Sequence, residues 1–403
     1  MGRRLELDAV RGLMLVWMVM THLPTNLPTY VNQPFGFISA TEGFIFLSAL
    51  FTGRIYLRLA ERSGYGAMRR KLWLRTLRLY GYHGLLLAFA FLVAVPIAAH
   101  GNRPGLHNLL DFYFTAGAPR AIVDAALLIY RPALLDILPM YIMFLLITPI
   151  VLSITRTRGW KYVVGGSFLV WLLAQFGLRE AIYEFASHHL GLNIPLKELG
   201  AFDVWAWQFM WILGLWFGEC WAKGDLPVES WARRFTIPAA LIFASFFAFR
   251  YIAALITLDF GMFAPLFDKW HFGVFRLVDF ASAAALLIRF QTSLKPLAFR
   301  PLVLLGQASL QVFCIHLLFC FAGLTIMGPN DRLTDWHQFA LLAATLLAMF
   351  VTATIFEKSE SPDPGAREGA VLPSAFGVKQ TTAEPDKAPS VPIGERKLAP
   401  SVK

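Results

Sequence analysis

Residues 3–22, RRLELDAVRGLMLVWMVMTH, decide how this chain folds. The stretch reads as one apolar helix with charged residues in its first turns and a histidine at its end. Arg11 and His22 lie eleven positions apart, and eleven steps of roughly 100° return to nearly the same helix face. That spacing is roughly 16 Å along the axis, about half of a bilayer core. One face is therefore predicted to carry a cation near one membrane surface and a proton carrier towards the other. The alternative is that Arg11 is only an interfacial anchor and His22 a residue at the edge of a loop.

The composition of the whole chain is typical of a membrane protein. Of its 403 residues, 57% are hydrophobic and only 15% are charged, whereas roughly a quarter of a soluble domain is charged. The mean hydropathy is +0.56. The formal net charge of +10 is attributed to cytoplasmic loops rather than to nucleic-acid binding. The three cysteines lie in apolar runs, which argues against a disulfide framework or a thiolate metal site.

Hydrophobic runs long enough to span a bilayer, roughly 17–25 residues each, occur about ten times. They lie near residues 9–23, 34–57, 72–98, 132–153, 160–178, 202–221, 236–258, 270–290, 301–326 and 336–356. Loops rich in Lys and Arg, such as 58–71 and 154–161, alternate with poorer loops such as 24–33. The positive-inside rule then puts both termini in the cytoplasm. We predict an all-α polytopic membrane protein with about ten transmembrane helices.

The chain divides into two regions of different composition. Residues 1–356 are predicted to form one transmembrane domain. Residues 357–403 are rich in Pro, Ser, Lys and Glu, and they are predicted to form a disordered cytoplasmic tail. The longer outer segments 99–131 and 179–201 either cover the helix ends or form a platform for an external polar ligand.

Two arginines lie inside the apparent cytoplasmic boundary of the third predicted helix. Arg75 and Arg78 are three positions apart and therefore share a helix face. Snorkelling anchors usually stop at the membrane edge. Because the planar fork of arginine makes bidentate contacts with phosphate, the pair indicates a buried anion site. The alternative is a strong cytoplasmic anchor.

Single polar residues also interrupt the second and ninth apolar runs. Glu42 needs a partner if it is buried, and it either orients His22 or bonds to an arginine on another helix. In the ninth run, Gln307 and Gln311 share one face, and His316 follows them. These groups either make interhelical hydrogen bonds or line a site.

Two further arginines fall in the seventh and eighth runs. Arg276 and Asp279 are three positions apart and are predicted to pair. Arg250 has no acidic residue near it in sequence, and an unpaired arginine inside a membrane is a functional candidate. The alternative is an ion pair between Arg250 and either Glu42 or Asp136.

Taken together, these residues resemble the membrane acyltransferase-3 superfamily. The motifs that carry the resemblance are Arg11-x10-His22 on the first predicted helix, Arg75-x-x-Arg78 on the third, and Leu305-Gly306-Gln307-Ala308-Ser309-Leu310 followed by Ile315-His316. The opening ELDAVRGLMLVWMVMTHLP is similar to the OpgC branch, which succinylates osmoregulated periplasmic glucans. Leu310 stands where the superfamily often has an aromatic residue.

The resemblance implies an O-succinyltransferase of the inner membrane. Succinyl-CoA would be the cytoplasmic acyl donor and a periplasmic glucan the acceptor. The sequence has no metal or nucleotide signature such as HExxH, a Walker lysine loop or GxGxxG, so we predict no permanently bound cofactor, no metal and no nucleic-acid partner. The resemblance maps His22 to the essential histidine and Arg11 to its paired arginine. We predict O-acyl transfer with His22 as general base, or through an acyl-histidine intermediate. Catalysis is assigned to His22, Arg11 and Glu42, donor binding to Arg75 and Arg78, and substrate binding to Arg250, Arg276 and His316.

A succinyl group ends in a carboxylate, so its pocket needs a cation, and we predict that Arg250 or Arg276 supplies it. One alternative is acetyl transfer to another cell-envelope polysaccharide. Another is a transporter that uses the same buried charges as substrate contacts. Transporters often have broken helices in two repeated halves, and no repeat of that kind is evident in the sequence.

Overall fold

The computed structural model describes residues 4–224, 233–327 and 333–359. Within these ranges the regular structure is helical, and the β pairing is limited to one isolated bridge between Phe35 and Ile38. This confirms the all-α class. Residues up to Lys358 form one compact unit. The predicted tail, apart from its first residues, lies outside the described residues.

Eleven helices organise the described part of the chain. They are α1 (Leu5–His22), α2 (Ala40–Phe89), α3 (Ile137–Arg158), α4 (Trp160–Ala174), α5 (Leu178–Leu190), α6 (Val204–Lys223), α7 (Thr236–Leu255), α8 (Val274–Arg289), α9 (Arg300–Gln307), α10 (Ser309–Ile326) and α11 (Asp335–Ser359). A π-helical turn and a short helix, Val95–His100, extend α2. Three short helices between residues 104 and 126 lead to α3.

Helix α2 contains two predicted spans joined at Gly64. Gly64 has φ 83° and ψ 163°, a backbone conformation outside the helical region that glycine adopts without a steric penalty. Arg75 donates a hydrogen bond to Thr52 across this break. Because these two residues lie at similar sequence distances on either side of Gly64, the two halves of α2 lie side by side as a hairpin.

The number of membrane spans agrees with the prediction only in part. Five helices are long and apolar enough to cross a bilayer when α2 and its extension to His100 are counted as one helix. The number is six if the bent pair α4 and α5 is one span. Helix α1 carries Glu6, Asp8 and Arg11, and α8 has only 16 residues, so neither reaches that standard. The count of ten spans and the cytoplasmic termini stay predictions.

The run 301–326 is not the single helix that its hydropathy predicted. It breaks at Ala308, where φ is −90° and ψ is 29°, into α9 and α10. Helix α9 packs directly on α1 through two glycines: a Cβ atom at Gly12 would fall on the carbonyl of Leu302, and one at Gly306 on the carbonyl of Asp8. Small residues allow such close helix contacts in membranes. This contact fixes α1 against the segment that begins α10.

Candidate active site

The first helix and the late motif meet along α1 and α10. His22 Nδ1 lies 3.2 Å from His316 Nε2, and the two rings stack with centroids 5.5 Å apart. Eleven residues earlier on α1, Arg11 Nη2 donates a hydrogen bond of 2.6 Å to Ser309 Oγ. Both contacts advance in the same direction along the two helices, so α1 and α10 run parallel. The structure thus brings together two motifs that are almost 300 positions apart in sequence.

The two histidines differ in exposure, and this difference suggests different roles. His316 is completely buried, whereas His22 is half-buried. Nδ1 of His22 is engaged by His316, and among the described residues no hydrogen bond involves Nε2 of His22. The two nitrogens of a neutral imidazole act as one donor and one acceptor. His316 can therefore hold the tautomer of His22 while Nε2 stays available to a reactant. The sequence assigned His316 to substrate binding and did not indicate this contact.

Arg11 is held between α10 and the first half of α2. Its guanidinium lies over the rings of Phe44 and Phe51, at 5.7 Å and 5.3 Å from their centroids. Arginine often lies over aromatic faces, where the ring quadrupole attracts it. Arg11 is half-buried and faces the interior of the bundle rather than only its edge. Its predicted role in catalysis stays a prediction.

Glu42 bonds to an arginine on another helix, which is the second of the two predicted alternatives. Arg276 Nε donates a hydrogen bond of 3.0 Å to Glu42 Oε1, and Arg276 Nη2 makes a second contact with the same oxygen. Glu42 is 0% exposed and Arg276 is 1% exposed. The other Glu42 oxygen accepts from the backbone N–H of Ser39 at 2.9 Å and also from the Ser39 hydroxyl. Glu42 therefore caps α2 and neutralises Arg276, instead of contacting His22.

The predicted ion pair between Arg276 and Asp279 is wrong, because each of the two residues bonds to a different partner. Asp279 Oδ2 accepts a hydrogen bond of 2.8 Å from the backbone N–H of Phe37. Arg276 instead turns towards Glu42 across the helix interface. Periodicity can place two residues on one helix face, but a stronger partner on a neighbouring helix overrides that pairing.

Arg250 on α7 has neither of the two acidic partners considered for it. Glu42 is taken by Arg276, and Asp136 Oδ2 accepts from the backbone N–H of Ala201 at 3.1 Å. Arg250 is half-buried, and its Nε atom is buried without a hydrogen-bond partner in the described part of the chain. Arg250 therefore remains a candidate cation.

A basic residue that the sequence did not single out interacts electrostatically with His22. Lys269 belongs to the loop between α7 and α8 and is half-buried. Its charge acts on His22, Glu42 and Asp136. Burial lowers the pKa of Lys269 below its ordinary value. The negative charge of Glu42 acts in the opposite direction but does not cancel this effect. Among the described residues, no carboxylate lies within 4.0 Å of its ammonium group. From the sequence, Lys269 was only the single Lys or Arg of residues 259–269, a segment predicted to be an outer loop.

The loop that carries Lys269 is fixed by its backbone. The carbonyls of residues 270–272 each accept a hydrogen bond from a side chain on α4, α6 or the turn that follows α4. The donors are Trp207 Nε1 at 3.1 Å, Gln175 Nε2 at 2.8 Å and Trp171 Nε1 at 3.0 Å. Three consecutive anchored carbonyls leave this part of the loop little freedom, so Lys269 leaves the backbone at a defined place.

The arginines of the third predicted span lie in the second half of α2. Arg75 donates hydrogen bonds to Thr52 Oγ1 at 3.0 Å and to Tyr141 OH at 2.7 Å. These partners are neutral, and no carboxylate within the described ranges lies at ion-pair distance from Arg75. Arg78 is half-buried on the following turn. The positive charge of Arg75 is thus held in place without being neutralised.

A charged cluster ties the Lys269 loop to α5. His271 Nδ1 lies 2.6 Å from Asp268 Oδ2, and His271 Nε2 lies 3.6 Å from Glu180 Oε1. The hydrogen bond with Asp268 raises the pKa of His271. Burial raises the pKa of Asp268, but the hydrogen bonds from His271 hold it below its usual value.

We expect the stability of this loop to depend on pH in a defined window. A raised folded pKa means that the His271 contribution is complete below its usual value of 6.5 and is lost as pH rises through the raised value. The Asp268 contribution is present above 3.8 and is lost at lower pH. Because His271 is 37% exposed, the effect should stay below about 1 kcal/mol. Hydrogen exchange of residues 259–273, corrected for intrinsic rates, should show protection falling above the raised pKa in wild type but not in His271→Gln. Equal pH dependence in both proteins would contradict this assignment.

Comparison with known proteins gives one match. A model of the OpgC protein family matches residues 3–361, which include all the described helices. No curated protein and no solved structure matches the chain.

Proposed function

Because the chain belongs to the OpgC protein family, whose members have an acyltransferase-type role in glucan modification, we propose that it is an inner-membrane O-succinyltransferase. Its donor is cytoplasmic succinyl-CoA, and its acceptor is a hydroxyl group of a periplasmic glucan. The observation that carries the proposal is the contact between His22 and His316, on the same two helices that join Arg11 to Ser309. A buried base–orienter pair of this kind suits proton transfer to and from a hydroxyl group.

In the proposed reaction, His22 Nε2 takes the proton of a glucan hydroxyl while that oxygen attacks the thioester carbonyl. The bond between the carbonyl carbon and sulfur then breaks, and the CoA thiolate takes the proton from His22. His316 holds His22 Nδ1 throughout and so keeps the ring oriented. General base catalysis of this kind contributes about 10²–10⁴-fold in rate.

The donor needs cations at its phosphate end. Arg75 and Arg78 are proposed to bind there, because Arg75 is positioned by two neutral hydroxyl groups that leave its charge uncompensated. Charge-assisted hydrogen bonds to phosphate are about twice as strong as neutral ones. Arg11 lies over Phe51, the sequence neighbour of the Thr52 that accepts from Arg75, and it would contact the donor arm on the way to His22.

The acyl end needs a cation if the group is succinyl. Arg276 is neutralised by Glu42, which weakens its assignment to the succinyl carboxylate. Lys269 has no carboxylate partner in the described part of the chain, and its charge acts on His22. We propose that Lys269, with Arg250 as the remaining arginine candidate, binds the terminal carboxylate.

The test of the function is transfer by the purified protein in liposomes. Succinyl-CoA and a linear β-glucan are supplied, and mass spectrometry of the glucan measures added succinyl. Acetyl-CoA serves as the competing donor. Succinylated glucan supports the proposal. Acetylated glucan alone would leave acyl transfer standing and remove the succinyl assignment. Glucan that crosses the liposome membrane unmodified would favour the transporter alternative.

We expect Lys269→Met to lower succinyl transfer more than acetyl transfer. Loss of a hydrogen bond to a charged group costs about 1.5–3 kcal/mol, which corresponds to roughly 10- to 100-fold in succinyl preference. The ratio of kcat/KM for the two donors measures this preference. The matched control is Lys197→Met, which removes an exposed outer-side lysine paired with Asp111. An unchanged donor ratio in Lys269→Met would exclude this lysine from acyl-group recognition.

A further inference from the structure

Three arginines gather at one tryptophan where the first residues of α1, the first half of α2 and the last turn of α6 meet. The positive-inside rule assigns this end of the bundle to the cytoplasm, and it is called the inner end below. The guanidinium of Arg54 stacks on the Trp221 ring, with its central carbon 3.4 Å from the ring centroid. Arg4 lies over the same ring at 5.6 Å. Arg58, one turn from Arg54, donates a hydrogen bond of 3.4 Å to the carbonyl of Ala222.

The cluster carries more positive charge than its neighbours compensate. Arg54 is only 8% exposed, and it makes no ion pair or hydrogen bond with a described residue. Arg4 donates to Gln291 and lies 4.0 Å from Glu6, which among the described residues is the one acidic side chain within ion-pair distance of the cluster. The charges of Arg58 and Arg4 both act on Arg54.

Like charges held this close repel each other unless an anion lies between them. Trp221 covers one face of Arg54 and fixes its plane, while the N–H groups on its edge bond to no residue in the described part of the chain. A planar guanidinium with a free edge binds phosphate in a bidentate manner. Two further arginines beside it strengthen the attraction for a group with more than one negative charge.

The position of the cluster connects it to the histidine pair. On α1, Arg4 and Arg11 lie two turns apart on one face, and His22 follows on nearly the same face. On α2, Phe51 lies one turn from Arg54, and its ring is 6.2 Å from Trp221 and under the Arg11 guanidinium. A line of cationic and aromatic side chains therefore runs from the inner end of α1 to His22.

We propose that Arg54, Arg58 and Arg4 form a phosphate-binding site for the nucleotide end of the acyl-CoA donor. This proposal rests on the proposed acyl transfer, and it adds a donor contact on the α1 side of α2. Arg75 bonds to Thr52, which lies two positions before Arg54 and hence on nearly the opposite helix face. The phosphates of the donor then bind at the inner end, and its arm passes Arg11 towards His22.

The test compares two donors in Arg54→Gln. With succinyl-CoA, KM is expected to rise about 10- to 100-fold, with little change in kcat. With succinyl-pantetheine, which has no phosphate, the variant and the wild type should react equally. Arg54→Lys keeps the charge but loses the planar fork, so it should show a smaller rise in KM. Arg62→Gln, which changes an exposed arginine two turns further along α2, is the matched control. Equal rises in KM with both donors in Arg54→Gln would overturn the proposal.

Calorimetric binding of free CoA separates failure of this site from failure of the proposed function. If CoA binds and Arg54→Gln weakens the binding, the site stands even if no glucan is acylated. The same phosphate chemistry is present in anionic lipids, so native mass spectrometry with phosphatidylglycerol forms the second arm. If Arg54→Gln loses bound phosphatidylglycerol while its affinity for CoA stays at the wild-type value, a lipid occupies the site and the donor assignment is wrong.

Discussion

His22→Ala is expected to lower acyl transfer about 10²–10⁴-fold while the affinity for free CoA stays unchanged. The reason lies in the two nitrogens of the ring. His22 Nδ1 is held by His316 at 3.2 Å, which leaves Nε2 to accept the proton of the attacking hydroxyl. Alanine removes that acceptor but leaves every proposed phosphate contact in place. Mass spectrometry of the glucan measures the rate, and calorimetry measures CoA binding.

The control for His22→Ala is His188→Ala, because His188 is an exposed histidine on α5. It should transfer at the wild-type rate. His316→Gln adds a second test, since His316 is a positioning residue that acts through His22. We expect a smaller loss of kcat in His316→Gln, an unchanged KM and a shifted pH–rate profile, because a glutamine cannot set the tautomer of His22 in the same way. If His22→Ala kept more than half of the wild-type rate, His22 could be neither the base nor the acyl carrier.

That His22 lies on the same face of α1 as Arg11 follows from helix periodicity alone. Eleven residues are close to three helical turns, so Arg11 and His22 had to share a face whatever surrounded them. Their partners, Ser309 and His316, could not be derived in the same way. Hydropathy identifies apolar helices but does not say which of them are neighbours. Only the fold shows that α1 and α10 lie side by side.

Glu42 shows a second reason why sequence patterns stop short of the site. A buried carboxylate needs a partner, and the candidate partners of Glu42 lay on several helices. Which of them it meets depends on the axial offset between neighbouring helices, and the sequence does not give that offset. Lys269 was missed for a different reason. A loop has no periodicity, so nothing in its sequence indicates that residues 270–272 are anchored on α4 and α6, or that the charge of Lys269 acts on His22.

We expect Glu42→Leu to be the most destabilising single change considered for this protein. It would leave the Arg276 guanidinium buried without its carboxylate, and breaking one partner of a buried ion pair costs about 3–5 kcal/mol. It would also remove the capping contact with Ser39, which adds about 1 kcal/mol. Thermal unfolding in one fixed detergent measures the loss. Arg120→Gln, which breaks an exposed pair with Asp124, is the control and should cost less than about 1 kcal/mol.

The double variant Glu42→Leu with Arg276→Met separates stability from catalysis. Replacing a whole buried ion pair with apolar residues of similar size is often neutral or stabilising, so this protein should recover most of the stability lost in Glu42→Leu. If it also transfers succinyl at the wild-type rate, the pair is structural, and the assignments of Glu42 to catalysis and of Arg276 to substrate binding both fall. If it is stable but inactive, the pair acts in the reaction. The charges of Glu42 and Arg276 must then interact electrostatically with His22 or with the bound substrate. A double variant as unstable as Glu42→Leu would contradict the ion-pair explanation itself, because neither charge of the pair would remain to account for the loss.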